Sequence, residues 1–150
     1  MKKVLVLMIL LWGFPAFPQA GKTLLNLDKS GVAIQGYDPV AFFTQNKPVK
    51  GSAQIASSYQ GATYYFASAE DKIAFDASPA KYEPQFGGFC AYGVANNKLV
   101  PIKVEAFQIV NGRLLLQYDL DVRDKFNKDQ AGNLQKADQN WPGLVDKKGR

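Results

Sequence analysis

Asn111-Gly112 is the feature that most restricts how this chain folds. It stands between two β-rich runs, Phe107 to Val110 and Leu114 to Tyr118. Asn-Gly accepts positive φ at both central positions of a two-residue turn, so the pair predicts an antiparallel hairpin. A second turn signal, Gln60-Gly61, separates Gln54 to Tyr59 from Thr63 to Ala67. Tyr64, Tyr65 and Phe66 favour a pleated strand. Alternation places Tyr65 on one face and Tyr64 with Phe66 on the other.

Between and after the hairpins the period turns helical. Ser68 and Asp71 have the spacing of a capping box, with Asp for the usual Glu or Gln. Ile73, Ala74, Phe75 and Ala77 supply an apolar face, and Ser78-Pro79 ends it, since the residue before proline is pushed out of the α region. Pro79 opens a short turn that Pro84 stops. Earlier, Leu24 to Leu27 reads as an edge strand or a docked N-terminal segment. In the Gly36-Tyr37-Asp38-Pro39 turn, Asp38 is placed to cap a one-turn helix starting at Pro39. Val40 to Thr44 is strand or the end of that turn. Gln85 to Gly93 is loop-like, and Leu99 to Val104 is a strand candidate interrupted by Pro101. A surface helix is expected over Asp119 to Asp129. A second follows from Leu134 to Trp141, with Pro142-Gly143 as its stop. Strands followed by C-terminal helices point to an α+β fold: a small antiparallel sheet with short helices and a helical C-terminal segment on one side. One domain, residues 21–150, accounts for the chain.

Residues 1–20 are set apart as a signal peptide. Lys2 and Lys3 precede the apolar run Val4 to Trp12, which is too short for the roughly 20 residues that span a bilayer. Cleavage after Ala20 would send the product to the periplasm or medium, with no membrane attachment afterwards. Removing Lys2 and Lys3 lowers the formal charge of +5 to +3. The remaining excess is spread out, which argues against nucleic acid as a partner.

The ligand inventory is short. The chain has no His, and both Met residues, Met1 and Met8, fall in the leader. Cys90 is the one cysteine, so no intramolecular disulfide exists. A lone Cys in an exported chain is buried and inert, a reactive thiol, or a bridge to a second copy. Gly87 and Gly88 keep the backbone before it open. Tyr37, Asp38, Tyr65, Phe89 and Tyr92 form the other candidate, a largely apolar cleft with Asp38 at its rim. No nucleophile–base pair and no phosphate loop is visible, so the chain does not read as an enzyme.

Tyr59, Gly61, Tyr64, Tyr65, Phe66, Ser68, Phe75, Pro79 and Tyr82 resemble the signature of the YHS domain family. With GYDPVAFF at 36–43, GGFCAYG at 87–93 and NWPGL at 140–144, the chain is similar to exported bacterial YHS-domain proteins, the core signature running over 36–110. The resemblance implies a binding module that handles a heavy metal such as copper, with Cys90 as ligand, and allows a homodimer through Cys90. Metal-type members carry Cys directly after the Phe matching Phe66, another Cys four residues on, and a His beside the second. Those positions are Ala67, Asp71 and Glu70 here. The alternative expectation is a metal-free small-molecule or protein-interaction module using the aromatic cleft.

Overall fold

The computed structural model describes residues 21–150. The leader expected at 1–20 lies outside the described residues. The fold is α+β, as expected, with the strands divided into two separate two-stranded antiparallel sheets.

The first hairpin pairs β1 (Ser52–Tyr59) with β2 (Ala62–Phe66). The second pairs β3 (Lys103–Val110) with β4 (Arg113–Gln117). Both turns have the positive φ values their sequences predict, at Gln60 and Gly61 and at Asn111 and Gly112. A register irregularity interrupts each ladder, between Ser52 and Ala56 and between Lys103 and Gln108. Beyond Pro101 the chain enters β3 at Lys103, so the strand begins later than the Leu99 to Val104 run suggests.

The helices are short except the last. Asp38 caps α1 (Ala41–Thr44), which starts two residues after Pro39. Ser68 Oγ accepts the Asp71 N–H at the start of α2 (Ala69–Ala77), and α3 (Pro79–Tyr82) opens on its proline. The stretch read as loop through Gly93 instead enters α4 (Ala91–Ala95), with the Cys90 sulfur accepting the Gly93 N–H. Asp119 caps α5 (Leu120–Asn127).

The C-terminal helix corrects the expectation of a stop at Pro142. It runs unbroken as α6 (Gln130–Lys148), with Gly132 and Pro142 inside it. Proline removes one backbone bond and crowds the preceding turn. Packing on both sides of it outweighs that cost. Leu134, Ala137 and Leu144 are buried, and Asn140 Nδ2 donates to the carbonyls of Val94 and Ala95 at 3.0 and 3.1 Å. Among the described residues no helix is long and apolar enough to cross a membrane.

Two apolar clusters meet at β4. Leu114 and Leu116 face a cluster containing Phe42, Tyr64, Phe66, Phe75 and Cys90. Leu115 faces the other, with Phe126, Val94, Leu134 and Leu144. A strand buried on both faces needs a continuous apolar run rather than alternation, which is why Leu114-Leu115-Leu116 stand together. Phase alternation does hold on β2, where Ala62, Tyr64 and Phe66 are buried and Tyr65 turns away.

Candidate functional site

The residues singled out by sequence divide into separate places. Asp38 is fully buried, not at a cleft rim. One of its oxygens, Oδ1, accepts the N–H groups of Val40 and Ala41 at 2.8 and 3.3 Å, and Oδ2 accepts that of Ala67 at 2.8 Å. A carboxylate this well supplied with backbone donors is holding chain segments together. Next to it, the carboxyl of Asp71 is pushed up to about 6 by burial, then by its hydrogen bond to Asp38 and by the Asp38 charge.

Tyr37 and Tyr65 are half-buried neighbours of Lys50 and Gly36. The Lys50 ammonium lies 4.6 Å over the Tyr37 ring, and the Tyr65 ring packs against Gly36. Phe89 lies against the second cluster, and Tyr92 packs between the two clusters, edge-on to Phe126 at 6.4 Å. Strand phase explains the separation. Tyr65 projects from the face of β2 opposite Tyr64 and Phe66, and those two share a cluster with Cys90.

Cys90 is 1% exposed. Its thiol donates to Gln117 Oε1 at 3.3 Å, and the same oxygen accepts the Tyr92 N–H at 3.0 Å. Burial pushes the thiol above its ordinary range, against the opposing pull of the Gly93, Tyr118 and Tyr92 backbone N–H groups. With Tyr92, Val100, Tyr118 and Val122 it borders an apolar groove of about 260 Å³. Tyr37, Asp38 and Tyr65 do not line that groove.

These residues do not fit a soft metal. Copper and zinc sites draw on thiolate, thioether and imidazole, and a closed site needs three or four converging donors. Residues 21–150 offer a single thiol of that kind, and among the described residues no three Cys, His, Asp or Glu side chains converge. A thiolate bridge to a second copy would require the Cys90 sulfur to leave its place under the surface. We therefore expect Cys90 in the native protein to react with a disulfide reagent such as dithionitrobenzoate at least about 100-fold more slowly than in denaturant. Stoichiometric native labelling on mixing would show that the sulfur is available after all.

A further cavity lies where none of the sequence candidates sits. It has a volume of about 330 Å³. The N-terminal segment contributes Lys22 to Leu25, the first hairpin Gln60 and Tyr64, and α6 Asp138, Trp141, Pro142 and Val145. The loop from Glu83 to Gly87 forms the floor, with Arg113 at the start of β4. Leu25, Phe86, Trp141 and Val145 make an apolar wall, and the Phe86 and Trp141 rings meet edge-to-face at 6.0 Å. Phe86 has φ +55, an unusual backbone state for a bulky residue, and it is followed by Gly87 at +60. Strained backbone of this kind gathers at binding sites.

The polar side of the cavity is specific. Arg113 grips Asp138 through both terminal nitrogens, at 3.0 and 2.6 Å, and its Nε donates to Gln85 Oε1 at 2.9 Å. Glu83 is half-buried, and burial raises its carboxyl above the usual range. Burial, and then the Glu83 charge, raises the Tyr64 hydroxyl. An apolar recess with a few converging polar groups, one of them a perturbed acid, is the form that small-molecule sites take.

Sequence reading missed this constellation. Pro84 registered as the stop of a short turn and Trp141 as the end of a helix. Five separate segments supply the lining, so no spacing within any of them announces it.

Residues 40–85 match the family model of the YHS domain. No curated protein and no solved structure matches the chain. The match takes in Asp38's neighbour segment, the first hairpin, α2 and α3, and ends at the Glu83 to Gln85 edge of the cavity.

Proposed function

We propose that this chain, which carries a YHS domain, is an exported small-molecule-binding module whose ligand occupies the cavity between the domain's Glu83 edge and α6. The observation that supports it most is the half-buried Glu83 carboxyl set beside the Phe86–Trp141 wall in a recess of about 330 Å³. Export is supported by Lys2 and Lys3 before the apolar run Val4 to Trp12. Metal handling, the role implied by the family resemblance, has less to stand on. Ala67, Glu70 and Asp71 occupy the positions where a thiolate pair and an imidazole would be needed.

The test is a titration of small amphipathic molecules into the full chain, followed by ligand-observed NMR. Bound molecules are expected to lose at least about tenfold in affinity in Val145→Phe, which fills the cavity, and in Trp141→Ala, which removes one wall. Val145 is a partly exposed lining residue, so its variant is expected to stay folded. Ligands that bind both variants as well as the parent chain would place the site elsewhere.

A further inference from the structure

We infer that the cavity takes a small organic cation, an ammonium group on a compact apolar body. The inference rests on the cavity being the binding site and names the chemistry of its occupant.

Four charged side chains line the space: Lys22, Glu83, Arg113 and Asp138. Arg113 and Asp138 neutralise each other in a two-pronged ion pair. The Lys22 ammonium donates to the Asp146 carbonyl near the end of α6, at 2.9 Å. Glu83 remains. Among the described residues no Lys or Arg lies within ion-pair distance of it. Half-burial of an unpaired carboxylate is costly, and a cation brought beside it recovers part of that cost. The aromatic wall beside it suits the same guest. Trp141 is the partly exposed ring of that wall, and its face attracts cations through the ring quadrupole. Phe86, buried behind it, already holds the Arg113 guanidinium 5.6 Å from its own ring centroid. An anionic ligand would meet Glu83 with the Arg113 charge already committed. A neutral ligand returns at most a hydrogen bond for the water it strips from Glu83 and leaves the charge unpaired. The raised Glu83 carboxyl also predicts that binding weakens as pH falls and the acid protonates.

Choline and its neutral isostere 3,3-dimethylbutan-1-ol differ in charge and hardly in shape, and can be titrated calorimetrically into the full chain. Choline is expected to bind at least about tenfold more tightly than the alcohol. Glu83→Gln should bring the two close together, and Val145→Phe should abolish both. If the alcohol binds as well as choline and Val145→Phe still abolishes binding, the cavity is the site and the cation inference is wrong. If choline binding survives Val145→Phe, the cavity itself is not the site. If choline does not bind even at millimolar concentration, the inference is overturned, and the amphipathic screen alone then decides whether the cavity binds other molecules.

Discussion

Asp38→Ala is expected to lower the free energy of unfolding at neutral pH by about 3–4 kcal/mol, since each buried donor left without its acceptor costs roughly 1–3 kcal/mol. Three N–H groups are involved, on Val40, Ala41 and Ala67. They belong to two parts of the chain, the α1 turn and the end of β2, so the residue fastens one to the other. Relief of the repulsion with Asp71 offsets part of the loss. Asn is not a quiet replacement. It keeps one acceptor oxygen, so its NH₂ must face either Ala67 N–H or the Val40 and Ala41 pair. Urea unfolding at pH 7 measures the effect, and a loss below about 1 kcal/mol would show that water replaces the carboxylate without difficulty. The pH profile gives an independent reading. Asp71 in the folded chain titrates near 6, above its ordinary 3.8. Between those values the folded state holds more protons than the unfolded state, so stability falls as pH rises through the interval. The contribution is complete below the unfolded value and gone above the folded one. Removing Asp38 takes away the second and third causes of the shift and leaves burial, so the slope should shrink and move to lower pH. Asp71→Asn should flatten the same slope while leaving the Asp38 bonds in place.

The fold was readable wherever one local segment decides its own geometry. Gln60-Gly61 and Asn111-Gly112 need no distant partner to accept positive φ, and both hairpins form there. Ser68 caps α2 with its own neighbour three residues on. What failed to show was decided at a distance. Pro142 looks like a stop because, taken alone, it costs a helix about 3 kcal/mol. Yet Leu134, Ala137, Trp141 and Leu144 keep one helical stripe across it, and that stripe packs on α4 and Phe86. The apolar period was present in the sequence, and the proline outranked it only because the packing partner was not visible. Cys90 shows the converse. Its glycine-rich surroundings suggest openness, whereas Gly87 and Gly88 serve tight backbone turns and the sulfur is closed in by Gln117. The expected aromatic cleft grouped Tyr65 with Phe89 and Tyr92 by their side-chain chemistry, with Asp38 at the rim. The two-residue period of β2 had already set Tyr65 on the other face.

Gly87→Ala is expected to cost about 2–5 kcal/mol, combining an alanine in the left-handed region, roughly 1–2 kcal/mol, with overpacking of about 1–3 kcal/mol. Gly87 has φ +60, and a Cβ there would land on the backbone carbonyl of Leu24 and within 3.1 Å of the Trp141 ring. Neither neighbour yields readily. The Leu24 to Asn26 segment is fixed by the Asn26 N–H donating to Gly87 O at 2.8 Å and by Asn26 Nδ2 donating to Gly88 O at 3.0 Å. Trp141 is braced on Phe86. Gly112→Ala supplies the control. It too has positive φ, +73, but nothing lies within 4 Å of its added Cβ. Its cost should therefore be the conformational part alone, about 1–2 kcal/mol. The difference between the two variants isolates the steric term. If they unfold at the same denaturant concentration, the Leu24 segment gives way freely and does not wall the cavity. If it holds as the contacts require, Gly87→Ala should also expose the Asn26 amide to hydrogen exchange, since the methyl group separates the two strands of chain that this bond joins. Ligand affinity should fall with it, because Leu24 and Leu25 leave the recess that Glu83 and Trp141 complete.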